Sequence, residues 1–155
     1  MLTERQKQTI FAEAAKFPHP AAAAVAALKI VQAAYGHVDD EHLREAAAVL
    51  GMSAEELDGV ATAYSLIFRG PVGRHVILIC DSVCCWMLGA SRLRDHLLSR
   101  LGIERLGQTS PDGRFTLLPV ACLGACDHAP ALLIDGELHG DLTEERINDL
   151  LAKCR

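Results

Sequence analysis

In HVILICDSVCC, residues 75–85, an apolar run rich in branched side chains passes directly into a loop of cysteines. A short run of this kind, bounded by polar and turn residues, reads as a buried strand over His75–Cys80, and it delivers Cys80 to the strand's end. Downstream, Leu93, Leu97, Leu98 and Leu101 recur along one helical face between Gly89 and Gly102, so a helix follows the first cysteine loop. Pro111, Asp112 and Gly113 form a turn, and Phe115–Ala121 reads as a second strand. That strand runs into Cys122–Cys126, where Gly124 permits tight curvature. Ala131–Ile134 and Leu138–His139 flank Asp135, Gly136 and Glu137 as a hairpin. Thr143 then caps a last helix with Glu144 and Glu145 in its first turn and Lys153 and Arg155 at its end, as the helix dipole favours. Strand, helix, strand, hairpin, helix is an α/β order, and it suggests a small thioredoxin-type sandwich with both cysteine loops at strand exits.

Upstream the period is helical. Thr3 and Gln6 have capping-box spacing before a helix reaching about Lys16, which Pro18 and Pro20 end. Ala21–Tyr35 carries Val25, Leu28 and Val31 at helical spacing, with Gly36 as its stop. Asp40 opens a third helix closed by Gly51, and Ser53 with Glu56 starts a fourth that runs through Tyr64. The patterning changes at Arg69–Gly73, so the expected organisation is a helical bundle arm over residues 1–70 and an α/β domain over residues 71–155. The arm is expected to be too small for a generous core of its own and to turn apolar faces toward a partner.

The chain has six cysteines. Four fall in two pairs, Cys80 and Cys85 with four residues between them and Cys122 and Cys126 with three. Thiolates from loops are the ligands of iron-sulfur clusters, and a two-iron cluster needs two sulfurs per iron, which one pair per iron supplies. C-x4-C also occurs in plant-type two-iron ferredoxins, whereas zinc ribbons prefer C-x2-C. The spacing favours a cluster and leaves zinc open. A chain of 155 residues buries roughly 70% of its unfolded surface without help from a metal, which makes the site functional rather than a staple. Fifteen basic against twenty acidic residues give a formal charge of −5, with no basic run, so nucleic acid is excluded as a partner. The N-terminal residues carry Glu4, Arg5 and Lys7, and no stretch is long and apolar enough to span a membrane, which places the chain in the cytoplasm. In that reducing compartment cysteines point to metal rather than to disulfides.

At PVGRHVILICDSVCC, SPDGRFTLLPVACLGACDHAP and DGELHGDLTEERINDLL, the stretch from Pro71 to Leu151 resembles the NuoE family, the thioredoxin-like 2Fe-2S subunit of bacterial NADH:quinone oxidoreductase, or complex I. LKIVQAAYGHVDDEHLREAAAVLGMSAEEL extends a weaker resemblance into the arm, with Ala63-Tyr64 where relatives usually have Phe-Tyr. The resemblance implies one 2Fe-2S cluster with Cys80, Cys85, Cys122 and Cys126 as its ligands. It also implies a NuoF-like partner subunit that binds FMN and NADH, docked through the arm and part of the α/β domain within the peripheral arm of the complex, on the cytoplasmic side of the inner membrane. Cys84 is an extra thiol outside the family pattern and a rival to Cys85 for the iron.

The remaining groups read more plainly. Cys154 is a small buried hydrophobe of the last helix. His128 follows Cys126 in a C-x-H arrangement, but the second half of a Rieske pattern is missing, so His128 is a loop residue, and the other histidines are surface or capping groups. Dithiol exchange needs C-x-x-C, which neither pair has. Without G-x-G-x-x-G, a Walker A sequence or a triad, the isolated chain is expected to have no catalytic activity of its own. A hydride releases two electrons and a 2Fe-2S centre takes one, so the expected role is single-electron exchange with a partner's flavin, at a potential on the order of −400 mV. The alternatives are the same module in an NAD-linked hydrogenase or formate dehydrogenase, and a non-catalytic metal-binding interaction module.

Overall fold

The computed structural model describes residues 1–154 and divides the chain into two compact units, residues 1–71 and 72–155. Arg155, expected at the end of the last helix, lies outside the described residues.

The first unit holds four α-helices, α1 (Glu4–Ala14), α2 (Ala24–Tyr35), α3 (Asp40–Leu50) and α4 (Ala54–Ala63), with a 3-10 turn at Pro20–Ala23 ahead of α2. Their starts follow the sequence signals. Thr3 with Gln6 and Ser53 with Glu56 form complete capping boxes, satisfying two otherwise unpaired backbone donors at each helix start. Asp39, one residue before the expected Asp40, accepts from the His42 amide. Gly36 and Gly51 end α2 and α3 in the left-handed conformation. The unit has its own core, including Ile10, Leu28, Val31, Val38, Leu43, Leu50 and Leu57, all nearly or wholly excluded from solvent. This corrects the expectation of an arm too small for a generous core: the many alanines let the helices approach closely enough for a few large aliphatics to fill the space between them. It also corrects one histidine. His42 is buried, stacked on Tyr35 at 3.9 Å and held by Asp39, not a surface group.

The second unit contains β1 (His75–Cys80), α5 (Val83–Met87), α6 (Ala90–Leu101), β2 (Gln108–Thr109), β3 (Phe115–Val120), β4 (Leu132–Ile134), β5 (Glu137–His139) and α7 (Glu144–Lys153). The sheet order is β2-β3-β1-β4-β5, with β1 and β3 parallel and the other pairs antiparallel. Alternation along the strands puts Ile77 and Ile79, Phe115 and Leu117, and Leu132 and Ile134 into one core with Leu93, Leu97 and Leu101 of α6 and Ile147 of α7. The expected hairpin turns at Asp135 and Gly136, both with positive φ, as a two-residue connection between twisted strands requires. Two elements escaped the sequence reading: the five-residue α5 and the two-residue β2, each too short to display a period.

The register that positions the site is that of β1 against β3. His75 faces Phe115 and, five steps on, Cys80 faces Val120, so adjacent parallel strands end level with each other. Loops leaving level strand ends start side by side. The Asp81 amide donates to the Val120 carbonyl (2.9 Å), extending the pairing one residue into the first cysteine loop.

Candidate metal centre

Each cysteine is placed by a different local device. Cys80 is the last residue of β1, and its amide donates to the Ala131 carbonyl at 3.2 Å. After Asp81 the chain turns into α5, which brings Cys85 back to pack beside Cys80. Both are buried and form a small packed group with Ala90, Leu123 and Ala129. Cys122 lies two residues beyond β3. Gly124, at φ 76, bends the loop so that its amide donates to the Cys122 sulfur at 3.4 Å. Cys126 opens a 3-10 turn, Cys126–His128, and both thiols of this second pair are exposed.

The pairs join into one group. The Cys122 thiol has Cys126, Cys80 and the Ser82 hydroxyl as electrostatic neighbours. Two cysteine loops far apart in sequence thus meet at the level ends of β1 and β3, and Cys80, Cys85, Cys122 and Cys126 are contiguous. Cys84 is an electrostatic neighbour of Cys126. Cys154 stands apart in the core beside α7. Among the described residues, no three His, Cys, Asp or Glu side chains are gathered tightly enough to hold a single metal ion. The thiols are linked in pairs instead.

Electrostatics follow from this crowding. Burial, then the hydrogen bond to Cys80, raises the Cys85 thiol above its ordinary value. Cys126 is pushed up to about 11, first by its hydrogen bond to Cys84 and then by the neighbouring sulfur charges. Cys122 moves the other way because the Gly124 amide favours its thiolate. Cys85 and Cys126 thus resist carrying negative charge where they stand, and a group that brings positive charge with it would hold them as thiolates and release their protons. Backbone donors already face two of the four sulfurs, Gly124 at Cys122 and Ala131 at Cys85. The residues present fit a two-iron cluster.

Two features were not legible in the sequence. His128 Nδ1 hydrogen-bonds Asp141 Oδ2 at 2.9 Å, and the Asp141 amide donates to the His128 carbonyl at 2.6 Å, so the segment after Cys126 is tied to the chain beyond β5. Gly140 makes that approach possible: a Cβ there would lie 2.5 Å from the His128 Cβ and 2.6 Å from its carbonyl oxygen. The sequence signal was Gly140 itself, set between a hairpin and a helix cap, but its neighbour could not be named from spacing. Ser82 likewise offers its hydroxyl to the site.

A mixed sheet with helices packed on it and a four-thiol group at its strand ends defines an iron-sulfur carrier of thioredoxin-like architecture. The family model for the thioredoxin-like [2Fe-2S] ferredoxin matches residues 10–155, and the chain belongs to that family. It is 48% identical to the E subunit of NADH-quinone oxidoreductase from Pseudomonas aeruginosa over 97% of this chain and 90% of that protein. It is 47% identical to the same subunit from Escherichia coli K12 over 99% and 92%. Among solved structures, an NAD+-reducing [NiFe]-hydrogenase in the air-oxidized state superposes with a TM-score of 0.71 at 30% identity, over 85% of this chain and 22% of that one.

Proposed function

We propose that this chain is the 2Fe-2S electron-transfer subunit of an NADH:quinone oxidoreductase, with Cys80, Cys85, Cys122 and Cys126 holding its single cluster. The observation that carries the ligand assignment is the meeting of these four thiols at the level ends of β1 and β3. The names of the two NADH-quinone oxidoreductase relatives, and how much of each chain they share, support the assembly.

When bound, the cluster supplies reversible one-electron chemistry. The protein's own contributions are positional and electrostatic. Cys80 and Cys85, both buried, would hold one side of the group away from water, while Cys122 and Cys126 present the other side at the surface. The amides of Gly124 and Ala131 stabilise negative charge on sulfur and so bias the site toward the more electron-rich state. α5 and the loop from Cys122 to Cys126 hang from a sheet whose core excludes all four cysteines, so the ligands are carried on a rigid support.

No nucleotide-binding motif occurs in the sequence. The two electrons of a hydride must therefore be split by a flavin on a partner, which we assign to a NuoF-like subunit carrying FMN and NADH, with residues 1–70 as the docking arm. No helix among the described residues is long and apolar enough to cross a membrane. We place the protein on the cytoplasmic side of the inner membrane, held there by the complex. A second reading, the same module within an NAD-linked hydrogenase, is favoured by the hydrogenase superposition, although this chain matches 22% of that structure's chain. Neighbouring genes separate the two.

The test is anaerobic reconstitution with iron and sulfide, metal and sulfide analysis, and EPR of the reduced protein. One 2Fe-2S centre per chain is expected, lost or detuned by Ser at any of the four positions because a hard oxygen replaces a thiolate, and left intact in Cys154→Ser. Protein that fills with zinc and takes no sulfide refutes the assignment.

A further inference from the structure

Beside Cys80 the structure leaves a narrow slot of about 10 Å³, room for no more than one water molecule, bordered by Cys80 and Asp81, by Trp86 of α5 and by Ala90 and Arg94 of α6. Among the described residues that line it, Arg94 is the one cation. Its place follows from the helix. Ala90 packs in the group that holds Cys80 and Cys85, and Arg94 stands one turn on along the same face, where a helical side chain leans back toward the helix start and so toward Ala90. The ion pair that Arg94 makes, Nε to Asp95 Oδ1 at 3.5 Å, is with a chain neighbour whose side chain is 71% exposed. A pair so open to water leaves most of the Arg94 charge uncompensated. We infer that Arg94 is a potential-setting residue: its positive charge, held beside the buried ligand Cys80, favours the reduced state of the site.

This role rests on the four-cysteine reading and names what tunes that site. On reduction one electron passes from the partner's reduced flavin to the site, no bond is made or broken, and the site becomes one unit more negative. A nearby positive charge is therefore worth more after reduction than before, and its removal lowers the potential. At an effective dielectric of about 20, a unit charge about 10 Å from the added electron changes a one-electron equilibrium by roughly tenfold. The Arg94 side chain is 35% exposed, so water screens part of its field. That screening reduces the expected change to about threefold. Asp81 borders the same slot with the opposite sign, but it is exposed, so screening weakens it more. Arg92 supplies the comparison. It carries the same charge on the same helix, yet its side chain is 80% exposed and its Nε is paired with Glu144 Oε1 at 2.6 Å.

The full-length chain is reconstituted anaerobically as wild type, R94Q, R94K and R92Q and assayed for iron and sulfide. Each protein is then titrated with redox mediators while the reduced signal is followed by EPR. R94Q should keep the iron, sulfide and EPR line shape of wild type. Its ratio of reduced to oxidised centre at a fixed ambient potential should fall by about threefold, just under half of the 59 mV that a tenfold change represents for one electron. R94K, which keeps the charge, and R92Q, which removes an exposed one, should each stay within about 1.5-fold of wild type. A potential in R94Q equal to that of wild type overturns the role of Arg94. So does R92Q falling as far as R94Q, because net charge and not position would then set the potential, and so does R94K falling with R94Q, because packing and not charge would then be at work. Wild type that takes up no iron and sulfide overturns the four-cysteine reading instead, so the two failures are distinct. Should R94Q fail to fold, R94M keeps the apolar stem without the charge, and the same outcomes decide.

Discussion

Gly140→Ala is a small change with a large expected effect. The added methyl would sit 2.5 Å from the His128 Cβ and 2.6 Å from the His128 carbonyl oxygen. Ordinary carbon contacts begin near ~3.5 Å, so the overlap is about 1 Å. Neither obstructing atom is the tip of a flexible side chain, so the segment Cys126–His128 or the chain at Gly140 must move. Moving them loosens the 2.6 Å bond from the Asp141 amide to the His128 carbonyl. Overpacking costs about 1–3 kcal/mol and a weakened hydrogen bond about 1, so a loss of about 2–3 kcal/mol is expected in the second unit. With an m-value of roughly 1 kcal/mol/M, the urea midpoint should fall by about 2 M or more. The single tryptophan, Trp86, lies in α5 beside the site, so its fluorescence reports this unit specifically. Because Cys126 begins the displaced turn, the cluster should also be lost faster on exposure to a chelator. A stability within about 0.5 kcal/mol of wild type, the range of an ordinary surface substitution, with unchanged cluster lifetime, would refute the crowding argument.

The other predictions concern the first unit. Gly59 lies inside α4, and a Cβ added there would meet nothing within 4 Å, so Gly59→Ala should stabilise that unit by up to about 1 kcal/mol in thermal melts followed by far-UV circular dichroism, while the Trp86 transition stays in place. Asp39 caps α3, and its carboxyl lies below its usual value chiefly through the His42 amide. A lowered carboxylate gives stability that is present above its unfolded value and lost as pH falls through its folded one. Asp39→Ala should thus cost about 1 kcal/mol near neutral pH, little of it Coulombic at so exposed a group, and nothing once the pH is below the folded value, as melts across the acid range will show. Removing Met1–Ile67 should leave a cluster-binding domain that pulls down the flavoprotein weakly; undiminished affinity at equal cluster occupancy would mean that the arm serves something else.

The parts of this molecule legible in the sequence were those set by local rules. Capping boxes at Thr3 and Ser53, glycine stops at Gly36 and Gly51, and the Asp-Gly hairpin each depend on a few neighbouring residues, and all appear where those residues stand. Long periods were legible too, as in the leucine face of α6. What failed depended on distance. The core of the first unit comes from alanines that allow close approach, and alanine carries no pattern that says which helices will meet. His42 looked like a surface group because nothing in its neighbourhood announces Tyr35 stacked on it. At the site, the cysteine spacing picked out the residues, but α5, which carries Cys84 and Cys85, is a five-residue helix below the length at which a period can be read.

The second unit's main core runs through Ile77, Leu97, Leu117, Leu132 and Ile147 and includes none of the site cysteines. A core built without the ligands leaves the sheet's packing independent of the site, and two of the site's sulfurs stand at the surface. Cys122 and Cys126 form the open lip, and Cys80 with Cys85 the floor. A change at the lip is therefore a change at the surface, whereas a change at the floor disturbs packed side chains.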